Sequence, residues 1–226
     1  MSNWISLLAD QTVQPAARPS PGIFLVLFVI LGACVWVFVE LVRRETRKRR
    51  AVALAQWANS RGLRVSANGR DDPHLRPLNP FNPKIESAIT GKEITLARIE
   101  TAESGVTTAA AAQRVWNVML QKLPSDWPLT ALRPTAHLVS AVDLFSLSSY
   151  PSLMPTDRFM VFGSEARAAE SLAHSSAPAL LPPDIGLVLA GSYLILDFSG
   201  RPFDEIEFDR LIDLATQLTP RLNSAQ

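Results

Sequence analysis

This sequence predicts an α+β fold, in which one N-terminal transmembrane helix is followed by a cytosolic domain whose mostly antiparallel sheet is packed by helices. Three observations carry the expectation. From Ile23 to Val39, "IFLVLFVILGACVWVFV" holds no charge, and six basic residues follow it almost at once. Beyond them, runs of strand and helix follow one another without regular βαβ alternation, which argues for α+β over a parallel sheet. The chain closes on a capped amphipathic helix that needs a sheet or another helix to cover its apolar stripe. Composition agrees. Of 226 residues 47% are hydrophobic and 19% charged, richer in apolar side chains and poorer in charge than an average soluble domain.

The first 21 residues read as a flexible exported tail rich in proline, with Trp4 as one interfacial anchor. Residues 22–42 form the span, in which Glu40 is the only charge. At about 1.5 Å per residue the segment is roughly 32 Å long, enough for a hydrocarbon core of about 30 Å. A buried core helix would be shorter and less uniformly apolar. A cleaved signal peptide would carry its basic residues ahead of the apolar stretch, where this chain has only Arg18 and Asp10. Arg43, Arg44, Arg47, Lys48, Arg49 and Arg50 follow the span, opposed only by Glu45. The positive-inside rule keeps this end in the cytoplasm, so the topology is N-out and C-in. Each basic residue near an anionic leaflet contributes about 1 kcal/mol, which assigns all six to the membrane surface. Arg43 and Arg44 lie three and four residues beyond Glu40 and can share its helix face.

Residues 43–62 read as a basic juxtamembrane helix. "AVALAQWANSRGLRV" keeps Ala51, Leu54, Ala55 and Ala58 at helical spacing, and Gly62 is a suitable stop. The cytosolic domain is expected over 63–226. Pro73, Pro77, Pro80 and Pro83 make "GRDDPHLRPLNPFNPK" a loop, ordered if Leu75, Leu78 and Phe81 find the core; it is either only a connector or a segment that presents those three residues to another protein in partly extended form. "IESAITGKEITLARIE" reads as a hairpin with Gly91 at the first central position of a type II′ turn. "VWNVMLQKL" is a third strand, and "WPLTALRP" returns as a fourth after a turn at Pro124 to Asp126. "HLVSAVDLFSL" reads as helical and "RFMVFGS" as a short strand. Ser164 is placed to cap a helix through "EARAAESLAH". "LVLAGSYLILDFS" is either a strand pair or one strand bent around Gly191. Asp204 caps the last helix, with Glu207 completing a capping box and Phe203 and Phe208 in the staple positions. Phe208, Leu211, Ile212, Ala215 and Leu218 form its apolar stripe.

In this order, "ALAQWANSRGLRV", the Pro-rich link, "ITGKEITLA", "DRFMVFGSEARAAESL" and "LPPDIGLVLAGSYLILDFSGRPFDEIEFDRLIDLATQL" resemble a group of uncharacterised bacterial single-pass membrane-anchored proteins with a cytosolic α+β domain. The resemblance covers most of residues 43 to 222. It implies this architecture, a bacterial source and the cytoplasmic (inner) membrane, and it implies no activity. Where similar proteins continue the second hairpin strand into aromatic and acidic residues, this chain has Ala97 and Arg98, so no role carries over to those positions.

Charge and motif narrow the function classes. Residues 1–50 carry seven Lys/Arg against three acids, and 51–226 carry fifteen against eighteen. The basic excess is therefore local, and nucleic acid, which needs a basic face on the folded domain, is not an expected partner. Cys34 is the only cysteine, so there is no disulfide framework. Asp71, Asp72 and His74 have ligand chemistry, but no second cluster joins them, and His137 and His174 are far off in sequence; no metal or cofactor is expected. No G-x-S-x-G elbow or Gly-rich phosphate loop is present, and no catalytic residue is assigned. Asp204, Glu205, Glu207, Asp209 and Asp213 crowd the last helix. They form either a solvated acidic face or a docking surface for a basic partner, with Glu205 and Asp209 foremost and the chain's own basic run as one such partner. The expected function is a noncatalytic interaction or sensing module held at the bilayer, with a further membrane or cytosolic protein as partner. The alternative is a tethered enzyme whose site gathers distant residues such as Asp71, His74, His137 and Asp184. A transporter or receptor subunit would need further helices from a partner.

Overall fold

The computed structural model describes residues 21–66, 73–81, 83–101, 115–136, 140–145 and 157–224, together with 147, 150, 152 and 154–155; the side chains at 21–27, 29, 74, 79–81 and 154–155 lie outside that description. The chain divides into two compact units, Met1–Ala51 and Val52–Gln226. Helix α1 (Pro21–Ser60) supplies the described part of the first unit and, from Val52, the opening element of the second. The folded unit therefore begins at Val52 and not at Leu63, because Trp57 and Ala58 are core residues. Gly62 ends the helix as expected. Its φ is 67°, the left-handed region that glycine enters without a Cβ clash. The Leu63 N–H donates to the Ala58 carbonyl at 2.9 Å and the Gly62 N–H to Asn59 at 3.1 Å, the paired bonds of a Schellman stop.

The second unit is α+β with an entirely antiparallel sheet packed by helices. Its strands are β1 (Arg64–Ser66), β2 (Lys84–Thr90), β3 (Ile94–Glu100), β4 (Val115–Pro134), β5 (Met154–Pro155), β6 (Phe159–Gly163) and β7 (Gly186–Asp197), in the order β1-β2-β3-β4-β6-β5 with β7 against β4. The expected hairpin is β2–β3, closed by the Gly91 N–H on the Ile94 carbonyl at 2.8 Å. Its central residues are Lys92 and Glu93, one place later than expected, and Gly91 is not among the glycines with positive φ. The glycine serves packing instead, since a Cβ there would collide with the Leu63 side chain. Glu86 is the extra residue of a bulge between Ile85 and Ser87.

The segments read as a third and fourth strand form one continuous element, β4. Its first part, Val118 to Lys122, pairs with Asp197 to Tyr193, and its last part, Thr130 to Leu132, with Leu189 to Leu187. From Lys122 to Trp127 it takes five steps while β7 takes two, from Tyr193 to Gly191. The reason lies in β7, which doubles back at Gly191, where φ is 56°. The two ends of β7 meet, for a Cβ on Gly186 would lie 3.3 Å from that of Asp197. β4 thus arches around the tip of this reversal, and Pro124 and Pro128 sit in the irregular part of the arch, where a missing N–H costs no ladder bond. The chain does turn back at Pro124–Asp126, as read from sequence. The two arms of β4 do not pair with each other, because β7 occupies the space between them.

Each face of the sheet is covered. The end of α1, α2 (Ala166–His174), α3 (Ala177–Leu180) and α4 (Glu205–Asn223) cover one, around Leu96, Met119, Trp127, Leu189, Leu194 and Phe198. Two 3-10 helices, Pro73–Phe81 and Ala141–Phe145, are associated with the other, around Ile99, Trp116, Val118 and Ile195. The first corrects the expected loop. Proline's φ suits 3-10 geometry, and the i, i+3 spacing of Leu75 and Leu78 eclipses their side chains on one side. The expected helix at "HLVSAVDLFSL" is the short second 3-10 helix. Ser164 does not cap α2; its N–H still bonds the Leu129 carbonyl at 2.8 Å, so the N-cap falls to Glu165. On α4, Asp204 accepts from the Glu207 N–H at 3.0 Å, and the Phe203 and Phe208 rings meet edge-on at 4.7 Å. The stripe of α4 is buried from Phe208 through Leu211, Ala215 and Leu218 to Leu222.

Candidate functional site

In the first unit, α1 exposes what a folded protein ordinarily hides. Phe28 is 78% exposed, Trp36 69% and Phe38 67%, and Ile30, Leu31, Val35, Leu41 and Val42 are also open. These positions go round the helix instead of forming a stripe, so no single packing face could cover them. Among the described residues no helix is long and apolar enough to cross a membrane; the uncharged sequence from Ile23 draws on side chains at 23–27 and 29 that lie outside that set. Of the six basic residues, two are matched within the helix. Arg44 Nε donates to Glu40 at 3.2 Å and Arg49 Nε to Glu45 at 3.1 Å, both with the acid four residues toward the N-terminus, the favourable order. Arg43, Arg47, Lys48 and Arg50 are exposed and make no ion pair among the described residues.

In the second unit, the last turns of α1 are held by α4. Trp57 Nε1 donates to Asp209 at 3.1 Å and Arg61 Nη2 donates to the same carboxylate at 2.7 Å. The Arg61 guanidinium lies over the Trp57 ring at 4.8 Å, and that ring meets Phe208 at 5.3 Å. Asp209 therefore already has a basic partner within its own domain, while its side chain stays 43% exposed; Glu205 is half-buried in the first turn of α4. For Leu75 and Leu78 the docking reading is corrected, and the alternative of an ordered segment reaching the core holds. At 2% and 1% exposed they belong to the core, so they offer nothing to a partner, and the Phe81 side chain lies outside the described residues.

The acidic cluster is also less solvated than expected. Arg201 is bidentate to Asp184 at 2.6 Å and donates to Glu207 at 2.6 Å, while Arg210 reaches Glu207 at 3.3 Å. Glu207 is 4% exposed, and its engagement with Arg201 is what leaves the capping box with one bond. Hydrogen bonding to Asp184 raises the Arg201 pKa further above its usual value, against the opposing pull of burial, with Glu207 adding to the rise. At the exposed edge of β2, Glu100 raises the Lys84 pKa chiefly through their hydrogen bond.

A second polar node went unread in the sequence. Asp197, 7% exposed, accepts from Ser140 Oγ at 2.7 Å and the Ala141 N–H at 2.6 Å on one oxygen. The other oxygen accepts from the Ser199 N–H at 3.0 Å and its hydroxyl at 2.5 Å. Four donors answer the desolvation of this carboxylate and pin the second 3-10 helix to the end of β7. Asp-x-Ser in "DFS" signals the local turn; nothing local signals Ser140.

For the enzyme alternative, Asp184 is tied to Arg201, while Asp71, His137 and the His74 side chain lie outside the described residues, as does Asp72. Among the described residues no group of three or more His, Cys, Asp or Glu could hold a metal ion. No protein-family model matches this chain, and no curated protein matches it. Among solved structures it is similar to the crystal structure of the mycobacterial trehalose monomycolate transport factor A, TtfA, with a TM-score of 0.47 and 10% identity over 75% of this chain and 92% of that one.

Proposed function

We propose that the chain is a noncatalytic interaction or sensing module of the bacterial inner membrane. Residues 22–42 cross the bilayer, the first 21 lie outside, and the folded unit sits in the cytosol beside a membrane or cytosolic partner. The observation that carries this reading is the encircling exposure of Phe28, Trp36, Phe38 and Leu41. That much apolar surface is stable in water only if another apolar phase covers it. The adjoining basic run supports the orientation. The resemblance to membrane-anchored bacterial proteins agrees with it.

The test is affinity purification of the full-length protein in mild detergent, with mass spectrometry, beside a form lacking residues 1–42. A near-stoichiometric companion recovered with the full chain and lost from the truncated form is the expected result. Recovery of both forms alone, or release of the full chain from membranes by alkaline carbonate, would overturn the reading.

A further inference from the structure

The six basic residues after the apolar run are not equivalent. Glu40 and Glu45 occupy Arg44 and Arg49 within the helix. What is left is Arg43, Arg47 and Arg50, at i, i+4 and i+7, which fall on one helical face, and Lys48, which points away from that face. At about 1.5 Å per residue this face climbs roughly 10 Å from Arg43 to Arg50, enough to run through one headgroup layer of about 5–7 Å to its aqueous edge. Guanidinium groups spaced along that depth match phosphate oxygens, which they bind bidentately.

We infer that Arg43, Arg47 and Arg50 form a selective contact for the phosphates of anionic lipid headgroups, and that Arg44 and Arg49 take no part in it. This rests on the reading that α1 is embedded in a bilayer. Trp36 lies seven residues before Arg43 on the same face, so it reports the lipids gathered there. Trp57, Trp116 and Trp127 are buried in the folded unit, and a Trp4→Phe background removes the one remaining tryptophan.

The experiment is quenching of Trp36 fluorescence in the reconstituted full chain by acyl-brominated phosphatidylglycerol against acyl-brominated phosphatidylcholine. A preference of about fivefold for the anionic lipid is expected, falling as salt rises. Arg43→Gln/Arg47→Gln/Arg50→Gln should bring the ratio to about one. Glu40→Gln/Arg44→Gln/Glu45→Gln/Arg49→Gln, which removes both internal pairs and keeps the net charge, should leave it unchanged. Equal quenching by both lipids would sink the inference and leave the membrane anchor standing. No quenching by either would remove the anchor as well. A preference that survives the triple substitution, or disappears in the quadruple one, would refute the assignment to these three residues. Loss of the preference to inorganic phosphate, at an ionic strength where chloride has no effect, would assign the contact to free anions. An RNA oligonucleotide bound through the three arginines in the absence of any lipid preference would also overturn it.

Discussion

One helix carries two opposite fates for apolar side chains. Between Phe28 and Val42, α1 turns phenylalanine, tryptophan and leucine outward; between Val52 and Ser60 it buries Trp57 and Ala58 in a core shared with Phe208. The difference is one of pattern. The outer stretch is apolar on every side and so cannot be covered by the face of one neighbour. The inner stretch is apolar along one stripe, Leu54, Trp57 and Ala58, and interleaved with Gln56, Asn59 and Ser60, so a single neighbouring surface suffices. A helix of uniform composition needs a solvent, whereas a striped helix needs a partner surface.

The contrast is broken most severely by removing the inner stretch. A fragment 63–226 loses Trp57 and Ala58, and should be about 4 kcal/mol less stable than fragment 52–226 in urea unfolding. Equal midpoints for the two would show that α1 contributes nothing to the core. Next in size is Val35→Arg, which burdens the outer stretch with a charge costing about 3 kcal/mol at the centre of a span. Carbonate extraction should then release the protein from membranes, while the melting temperature of the folded unit stays unchanged. A fall in that temperature would mean the outer stretch packs on the domain after all. The smallest effect belongs to Asp209→Asn. Asn can still accept from Trp57, so only the half-exposed pair with Arg61 is lost, and a double-mutant cycle with Arg61→Gln should return about 0.5 kcal/mol of coupling. A coupling several times larger would indicate a pair that is shielded from water.

Much of the folded unit was legible because its signals are local. The stop at Gly62, the β2–β3 hairpin, the Asp204 cap and the Phe203–Phe208 staple each depend on residues a few positions apart, and each lies where sequence reading puts it, the hairpin's turn one place later. The misses share a different origin. Leu75 and Leu78 sit among four prolines, which spoke for an extended loop; a core surface nearby rewarded the 3-10 form that turns both side chains inward. Ser164 has the chemistry of a cap, but its N–H is engaged with Leu129 across the sheet. The Asp197 node joins Ser140 to Ser199 over a long stretch of chain, and no periodicity announces such a meeting. Of the residues proposed for docking, Leu75 and Leu78 were apolar in the right way but are buried in the domain's own core.

By itself the sequence determined the long helix, its uncharged stretch and basic run, the local caps and turns, and the α+β class, because spacing and side-chain chemistry act over a few residues. Only the tertiary structure decided that β4 arches around the reversal of β7 at Gly191 and that Asp209 closes on Trp57 and Arg61. Those outcomes depend on which groups meet across distant parts of the chain. Most buried polar groups find partners, and the fold decides which ones.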